Sequence, residues 1–312
     1  MIGAKRFISK NSWVWAALGT LAIWTVISIL SGGFSFKTLF LNATLATFAF
    51  LLGIAELYII TSGEGAIDLS VAYTFTLTAY ISAKMFRGGS TLTGILIILA
   101  VCILIGLLNA FVNVCLHVHA MIGTLAIGYI LYSVVLVYAQ YSTMAPAKGW
   151  ASFIQSQIGG FSVPTAFCLL LIAAMVVVLY HTKFGKQLHA VGQGHLAAKF
   201  AGIPVSRILT ISFVASSLLA GLGGVICCAY VNGSYQTLGS TYQMSAISAA
   251  MIGGTLVSGG KSSVVGTYLG AVMLTLLGTL LNLTGLDKGW QYVIEGLIII
   301  LLLFNGSSAS KR

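Results

Sequence analysis

The sequence predicts an all-α, polytopic membrane protein of about ten transmembrane helices, and three observations carry that prediction. Of 312 residues, 58% are hydrophobic and only 6% charged, where a soluble domain carries about a quarter charged residues to cover its surface. Apolar runs recur from end to end, each near the roughly twenty residues that cross a bilayer core as a helix. The runs lack the alternation of barrel strands. Inside lipid every backbone N–H and C=O needs an internal partner, which leaves helices as the spanning element.

The first span, Trp13 to Leu30, follows the basic residues Lys5, Arg6 and Lys10. No small-x-small cleavage site follows Leu30, so the segment reads as an uncleaved span rather than a signal peptide. Thr38 to Thr61, Ala66 to Ala83, Leu92 to Leu116, Ala120 to Ala139 and Thr165 to Tyr180 follow as spans two to six. Ile208 to Tyr230, Tyr242 to Val257, Val264 to Leu283 and Trp290 to Phe304 complete the ten. The spans bound a membrane domain at 13–304, with a cytoplasmic N-terminus at 1–12 and a cytoplasmic tail at 305–312. The 36 glycines against three prolines suit helices that approach closely with few kinks, Gly266 and Gly270 forming one small-residue pair.

A net charge of +10 could point to nucleic acid, but in a membrane chain the placement of Lys and Arg chiefly sets orientation. One side collects Lys5, Arg6, Lys10, Lys183, Lys186, Lys199, Arg207, Lys261, Lys311 and Arg312, which is ten; the other has Lys37, Lys84, Arg87, Lys148 and Lys288, which is five. The richer side is expected in the cytoplasm, with both termini on it. The five cysteines, Cys102, Cys115, Cys168, Cys227 and Cys228, lie in apolar runs without ligand spacing and read as packing residues.

The apolar pattern breaks first at Ser62-Gly63-Glu64-Gly65-Ala66-Ile67-Asp68-Leu69-Ser70. A broken helix there would turn freed backbone groups toward a polar cavity, as transporters do to hold substrate. Alternatively the stretch is a short turn in which Asp68 caps the next helix near Ser70. Glu56 and Glu295 also interrupt apolar runs, where an ionised side chain costs at least about 2 to 3 kcal/mol and so needs protein, water or a cation. Asn109, Asn113, Thr124 and Gln243 are either interhelical hydrogen-bonding groups or pore-lining ones. With Glu56, Glu64, Asp68 and Ser70 they make up the candidate substrate pathway.

The loop 181–207 carries Lys183, Lys186, Lys199 and Arg207 but also Leu196, Ala197, Ala198, Phe200 and Ile203. A short helix is expected from near Gly194 to around Gly202, since Pro204 disfavours helical geometry at Ile203, and Leu196 and Phe200 at i,i+4 share a face. That face invites either a docked protein or the membrane surface. Gly260-Lys261-Ser262 tempts a phosphate-loop reading, but the spacing needs glycine at Thr255 and the flanks are spans, so a tight turn explains it better. His117 and His119 are two apart, and His189 and His195 are loop residues; none supports a metal, and no nucleophile, base and orienter are spaced for catalysis. A secondary transporter using Glu56, Glu64, Asp68 and Glu295 remains the rival from another class.

These breaks fall where those of a known family do. GAIDLSVA (65–72), MIGTL (121–125), TKFGKQLHAVGQGHLAAKFAGIPVSR (182–207) and AISAAMIGGTLVSGGKSSVVGTYLGA (246–271) occur in order among the spans. With them the chain resembles, nearly end to end, the permeases of bacterial ATP-binding-cassette importers for ribose and related simple sugars. The resemblance implies a type II ABC importer-like permease in the bacterial inner membrane, working by alternating access. It implies a second permease chain, identical or different, an extracytoplasmic sugar-binding protein, and a cytoplasmic ABC ATPase that holds ATP and Mg; this chain itself would carry no cofactor. The Gly185 to Gly202 region, with Gly192, Gly194, Leu196, Ala197, Ala198, Lys199, Phe200 and Gly202, would dock that ATPase. Ala66 and Ala72 stand where the family usually has glycine, and Glu64 lies beside the signature. Those departures would suit a different small polyol-like cargo or one half of a heterodimeric pore; amino acids and nucleosides are the alternative cargoes.

Overall fold

In the computed structural model, residues 13–141, 145–158, 160–287, 289–291, 293–294, 296–297 and 300 are described. Helices α1 (Trp13–Leu30), α2 (Phe36–Thr61), α3 (Val71–Arg87), α4 (Thr91–Ala110) and α5 (Ala120–Tyr141) form the first half. After α6 (Lys148–Gln155) and a two-residue ladder of β1 (Gln157–Ile158) with β2 (Phe161–Ser162), α7 (Val163–Val176) returns across the bundle. The chain then builds α8 (Lys183–Gln193), α9 (His195–Phe200), α10 (Val205–Tyr230), α11 (Ser240–Ile252) and α12 (Val264–Leu283). Wider π turns extend α4 over Phe111–Cys115 and α7 over Val177–His181.

Seven of the described helices are long and apolar enough to cross a membrane. α3, at 17 residues, and α11, at 13, are shorter. The expected third span is corrected: it begins at Val71, not Ala66, because residues 66–70 are not helical. The eighth runs Ser240–Ile252 and stops short of Val257, where Gly254, with φ of +99°, takes the chain into a turn. Most of the expected tenth span with Glu295, and both chain ends at 1–12 and 305–312, lie outside the described residues.

α2 is the central post. Ser35 caps its first turn by accepting the Thr38 N–H at 3.3 Å, and from Ala46 onward the helix is buried on every side. A helix apolar all round belongs in the middle of a bundle. Against it lie α10, α11 and α12; α3 and α4 pack on α10, and α1 packs on α12. α1, α4, α5 and α7 leave broad apolar faces exposed, including Leu96, Leu104, Ile122, Ile130 and Leu170, as lipid-facing helices do.

Contact between the inner helices is backbone to backbone. A Cβ on Gly224 of α10 would lie 2.0 Å from the Phe75 carbonyl oxygen of α3, and one on Gly266 of α12 would lie 1.9 Å from the Gly253 carbonyl oxygen. Small residues permit such approach where lipid supplies no hydrophobic drive between helices. Gly224→Ala is expected to force α3 and α10 apart and cost about 1–3 kcal/mol, the usual scale of overpacking. Thermal unfolding in detergent should show a lowered Tm, whereas Gly278→Ala, with open space around it, should leave Tm unchanged or higher.

Candidate functional site

The interruption between α2 and α3 is the polar centre of the bundle. After Thr61 three successive residues take positive φ, Gly63 at +95°, Glu64 at +57° and Gly65 at +66°, and this ends the helix. Glycine is at ease there, while a non-glycine residue so placed costs of order 1–3 kcal/mol. The chain then runs without helix through Ala66, Asp68 and Ser70, all buried, before α3 begins. Non-helical backbone at such depth is tolerated only if its polar groups find partners in the protein or a wet cavity.

The partners come from five helices. Glu56 of α2 accepts the Asp68 N–H at 3.1 Å, and Thr124 of α5 accepts the Leu69 N–H at 3.0 Å. Gln243 of α11 donates to the Leu69 carbonyl at 3.2 Å. Asp68 turns back on its own segment, its Oδ1 accepting the Ser70 N–H at 2.9 Å and the Ser70 hydroxyl at 2.6 Å. Asn109 of α4 donates to Ser70 Oγ at 2.7 Å, and Ser216 of α10 donates to Asp68 Oδ2 at 3.3 Å. Glu56, Asp68, Ser70, Asn109 and Thr124 are all buried.

Asp68 closes a turn onto Ser70 inside a broken, buried segment, and it is not among the residues that line the cavity described below. Glu56, which had no partner visible in the sequence, finds one twelve residues on. Ser216 was not singled out, because serine in an apolar helix usually bonds its own preceding turn and leaves no pattern.

Glu64 and Asn113 sit elsewhere. They line a cavity of about 850 Å³ between the interruption, the turn after α4, α9 and the start of α10, with His119, His195, Lys199 and Arg207 also on its wall. Asn113 donates to the Val118 carbonyl at 3.0 Å. The Glu64 carboxylate, 65% exposed, reaches His195 Nδ1 at 3.0 Å.

The segment 181–207 forms two helices. Thr182 caps α8 by accepting the Gly185 N–H at 3.2 Å, and α9 ends before Gly202, whose φ is +79°. Its candidate residues divide by exposure. Gly185 abuts the Leu179 backbone, Gly192 is pressed against the Thr61 carbonyl and the Gly260 amide, and Ala198 is buried. Gly194 caps α9. Ala197 and Lys199 face outward, with Leu196 68% and Phe200 81% exposed. Gly259 and Gly260 make a tight turn, closed by Leu256 N–H to the Lys261 carbonyl at 3.1 Å and tied to α2 through Gly260 N–H to Thr61 O at 3.0 Å. Among the described residues no three His, Cys, Asp or Glu side chains group as metal ligands.

A helical bundle with a pinned, interrupted helix at its centre and a short amphipathic helix at one end defines a multi-pass membrane protein of the transporter class. The chain belongs to the family described as “Branched-chain amino acid transport system / permease component”, which matches residues 38–303. Similar curated proteins include the ribose import permease protein RbsC of Escherichia coli strain K12, 30% identical over 96% of each chain. The galactose/methyl galactoside import permease protein MglC of the same strain is 31% identical over 80% of this chain and 79% of its own. A probable ABC transporter permease, y4mJ of Sinorhizobium fredii, is 32% identical over 80% of this chain and 75% of its own. The protein is thus a permease component of an ABC transporter and not an enzyme.

Asp68→Ala would strip the acceptor from three donors at once, and each buried unsatisfied group costs about 1–3 kcal/mol. Thermal unfolding should show a larger drop in Tm than for Asn109→Ala, with Asp68→Asn, which keeps one acceptor oxygen, between them.

Proposed function

We propose that the chain is the membrane-spanning subunit of an ATP-driven importer that moves a monosaccharide or similar small polyol-like solute across the bacterial inner membrane. Two permease chains flank a central pathway, an extracytoplasmic sugar-binding protein delivers the cargo, and a cytoplasmic ABC ATPase binds ATP with Mg. Both termini are cytoplasmic, on the side richer in Lys and Arg. The names of the ribose and galactose relatives support a sugar cargo. The family's description makes a branched-chain amino acid the alternative.

The observation that carries the reading is the pair Leu196 and Phe200, side by side on the outer face of α9 while Ala198 behind them is buried. Large apolar groups presented on a short helix at the end of a bundle suit a docked protein. Lys199 and Arg207 flank them with positive charge, and Gly185, Gly192 and Gly194 set the helix in place. ATP acts by binding the two conformations of the complex unequally, which is the only way a ligand biases such an equilibrium. α9 passes that bias to the bundle and the access of the pathway alternates. Glu64 and Asn113 line the cavity beside α9. Glu56, Asp68, Ser70, Asn109, Thr124 and Gln243 hold the interruption in shape.

The test is uptake of radiolabelled ribose, galactose and leucine by cells carrying the permease with its ATPase and binding protein. The native chain is expected to take up a sugar and not leucine. Leu196→Glu with Phe200→Glu should cut uptake at least about tenfold, equivalent to ~1.4 kcal/mol, and release the ATPase on purification while the chain stays in the membrane. Uptake and co-purification unaffected by the double substitution would exclude docking at α9; leucine uptake would exclude the sugar.

A further inference from the structure

We propose that the tyrosine cluster of Tyr73 on α3 with Tyr129 and Tyr132 on α5, and Gln243 of α11 near it, forms a wall of the transport pathway on which the sugar ring stacks in passing. This rests on the importer reading for the cargo, but not for the presence of water on that face. The rings are in contact: the Tyr73 centroid lies 5.4 Å from that of Tyr132 and 6.4 Å from that of Tyr129. Tyr129 is 59% exposed, and Tyr73 and Tyr132 are half-buried.

Both α5 rings lie deep in the membrane. The helix crosses over Ala120–Gln140, and at about 1.5 Å of rise per residue Tyr129 and Tyr132 stand roughly 14 and 18 Å from its first residue, near the middle of a core about 30 Å thick. Tyrosines that face lipid gather at the two interfaces, with the ring in hydrocarbon and the hydroxyl among headgroups. At mid-depth a hydroxyl turned to hydrocarbon has lost its water and gained nothing in exchange. Among the described residues none of these three hydroxyls has a hydrogen-bond partner. Polar groups so placed belong to a water-filled path. Elsewhere on the same helix Ile130, Val134 and Val137 are exposed and present hydrocarbon only.

The wall is built onto the interruption. Thr124, Gly128 and Tyr132 recur every four residues along one face of α5. Thr124 accepts the Leu69 N–H, and a Cβ on Gly128 would lie 3.0 Å from Tyr73 Cδ2 and 3.2 Å from the Leu69 carbonyl oxygen. The missing side chain lets the Tyr73 ring settle against the helix. Gln243, half-buried, donates one amide N–H to that same carbonyl at 3.2 Å. A sugar has faces of C–H groups ringed by hydroxyls. The negative face of an aromatic ring attracts the polarised C–H groups, while the phenol hydroxyls and the rest of the Gln243 amide exchange hydrogen bonds with the sugar hydroxyls. Uncharged partners of this kind hold a solute loosely, as a pathway must if the cargo is to leave.

The first arm of the test uses the permease with its ATPase and binding protein in lipid nanodiscs, in a Cys115→Ser background, the four other cysteines being buried. Tyr129→Cys and Ile130→Cys are treated with a charged methanethiosulfonate, with and without ATP. Tyr129→Cys is expected to react at least about tenfold faster in one of the two conditions, because the reacting thiolate forms only where water solvates it. Equally slow reaction of both in both conditions overturns the proposal. A Tyr129→Cys that resists the reagent but forms a disulfide with a second copy of the chain on oxidation also overturns it, since the face is then a dry contact between chains. In the second arm, Tyr129→Ala should lower ribose or galactose uptake at least about fivefold, the scale of one aromatic contact, with Tyr129→Phe between it and the native chain and with Tm and ATPase co-purification unchanged. Undiminished uptake by Tyr129→Ala rejects the contact with sugar. If Tyr129→Ala lowers Tm or sheds the ATPase, Tyr129→Leu, which keeps apolar bulk without ring or hydroxyl, decides in its place by the same criterion. If the native complex takes up leucine and neither sugar, the sugar reading fails while the thiol reaction still decides whether the face is a wet path.

Discussion

Nine residues of chain between α2 and α3, largely without helix and set inside a bundle of apolar helices, impose the constraint on which the rest depends. At such depth each bare N–H and C=O there needs a partner in the protein or a wet cavity. Side chains from α2, α5 and α11 meet several of them, Glu56 and Thr124 binding the successive amides of Asp68 and Leu69 and Gln243 the Leu69 carbonyl, while α4 and α10 hold the segment through the Ser70 and Asp68 side chains. Five helices are thereby fixed relative to one another by what one segment lacks.

That demand explains the polar residues the membrane helices retain. Two carboxylates and an asparagine at full burial would weaken an apolar core if unpaired; here Glu56 and Asp68 accept amides that helical continuity would otherwise have satisfied, and Asn109 donates to the Ser70 hydroxyl. It also explains the close contacts. For hydrogen bonds of about 3 Å to reach across, the helices themselves have to approach, and Gly224 lies where α10 meets the Phe75 backbone and Thr78 hydroxyl of α3, Gly253 where the end of α11 meets the backbone of α12.

The interruption joins two regions of different character. Its inner part is buried and hydrogen-bonded around Asp68, with Glu56 Oε1 and Asn109 Oδ1 left without a partner among the described residues. Its outer part, Ser62 to Ala66, opens on the 850 Å³ cavity and touches α8 and α9, where Gly63 and Gly192 meet through backbone. Placed so, the segment joins the short helix that carries Leu196 and Phe200 to the middle of the bundle.

Much of this was legible in the residues. The apolar runs decide a helical membrane protein because lipid admits little else, and α1 and α12 begin and end where the runs do. The amphipathic helix at 195–200 was readable from Leu196, Phe200, Gly202 and Pro204, since local backbone preference and i,i+4 spacing act within a few residues. The cost of charge in an apolar run marked Glu56 and Asp68 as special, without saying for what. Only the tertiary structure decided that Glu56 serves the Asp68 amide, that Ser216 completes Asp68, and that Gly192 and Ala198 face inward while Leu196 does not. Each of these depends on contacts between residues far apart in the chain or on which side of a short helix its neighbours lie. Hydropathy is a property of one segment at a time, whereas a hydrogen bond across helices belongs to a pair, and pairing is settled only when the bundle packs.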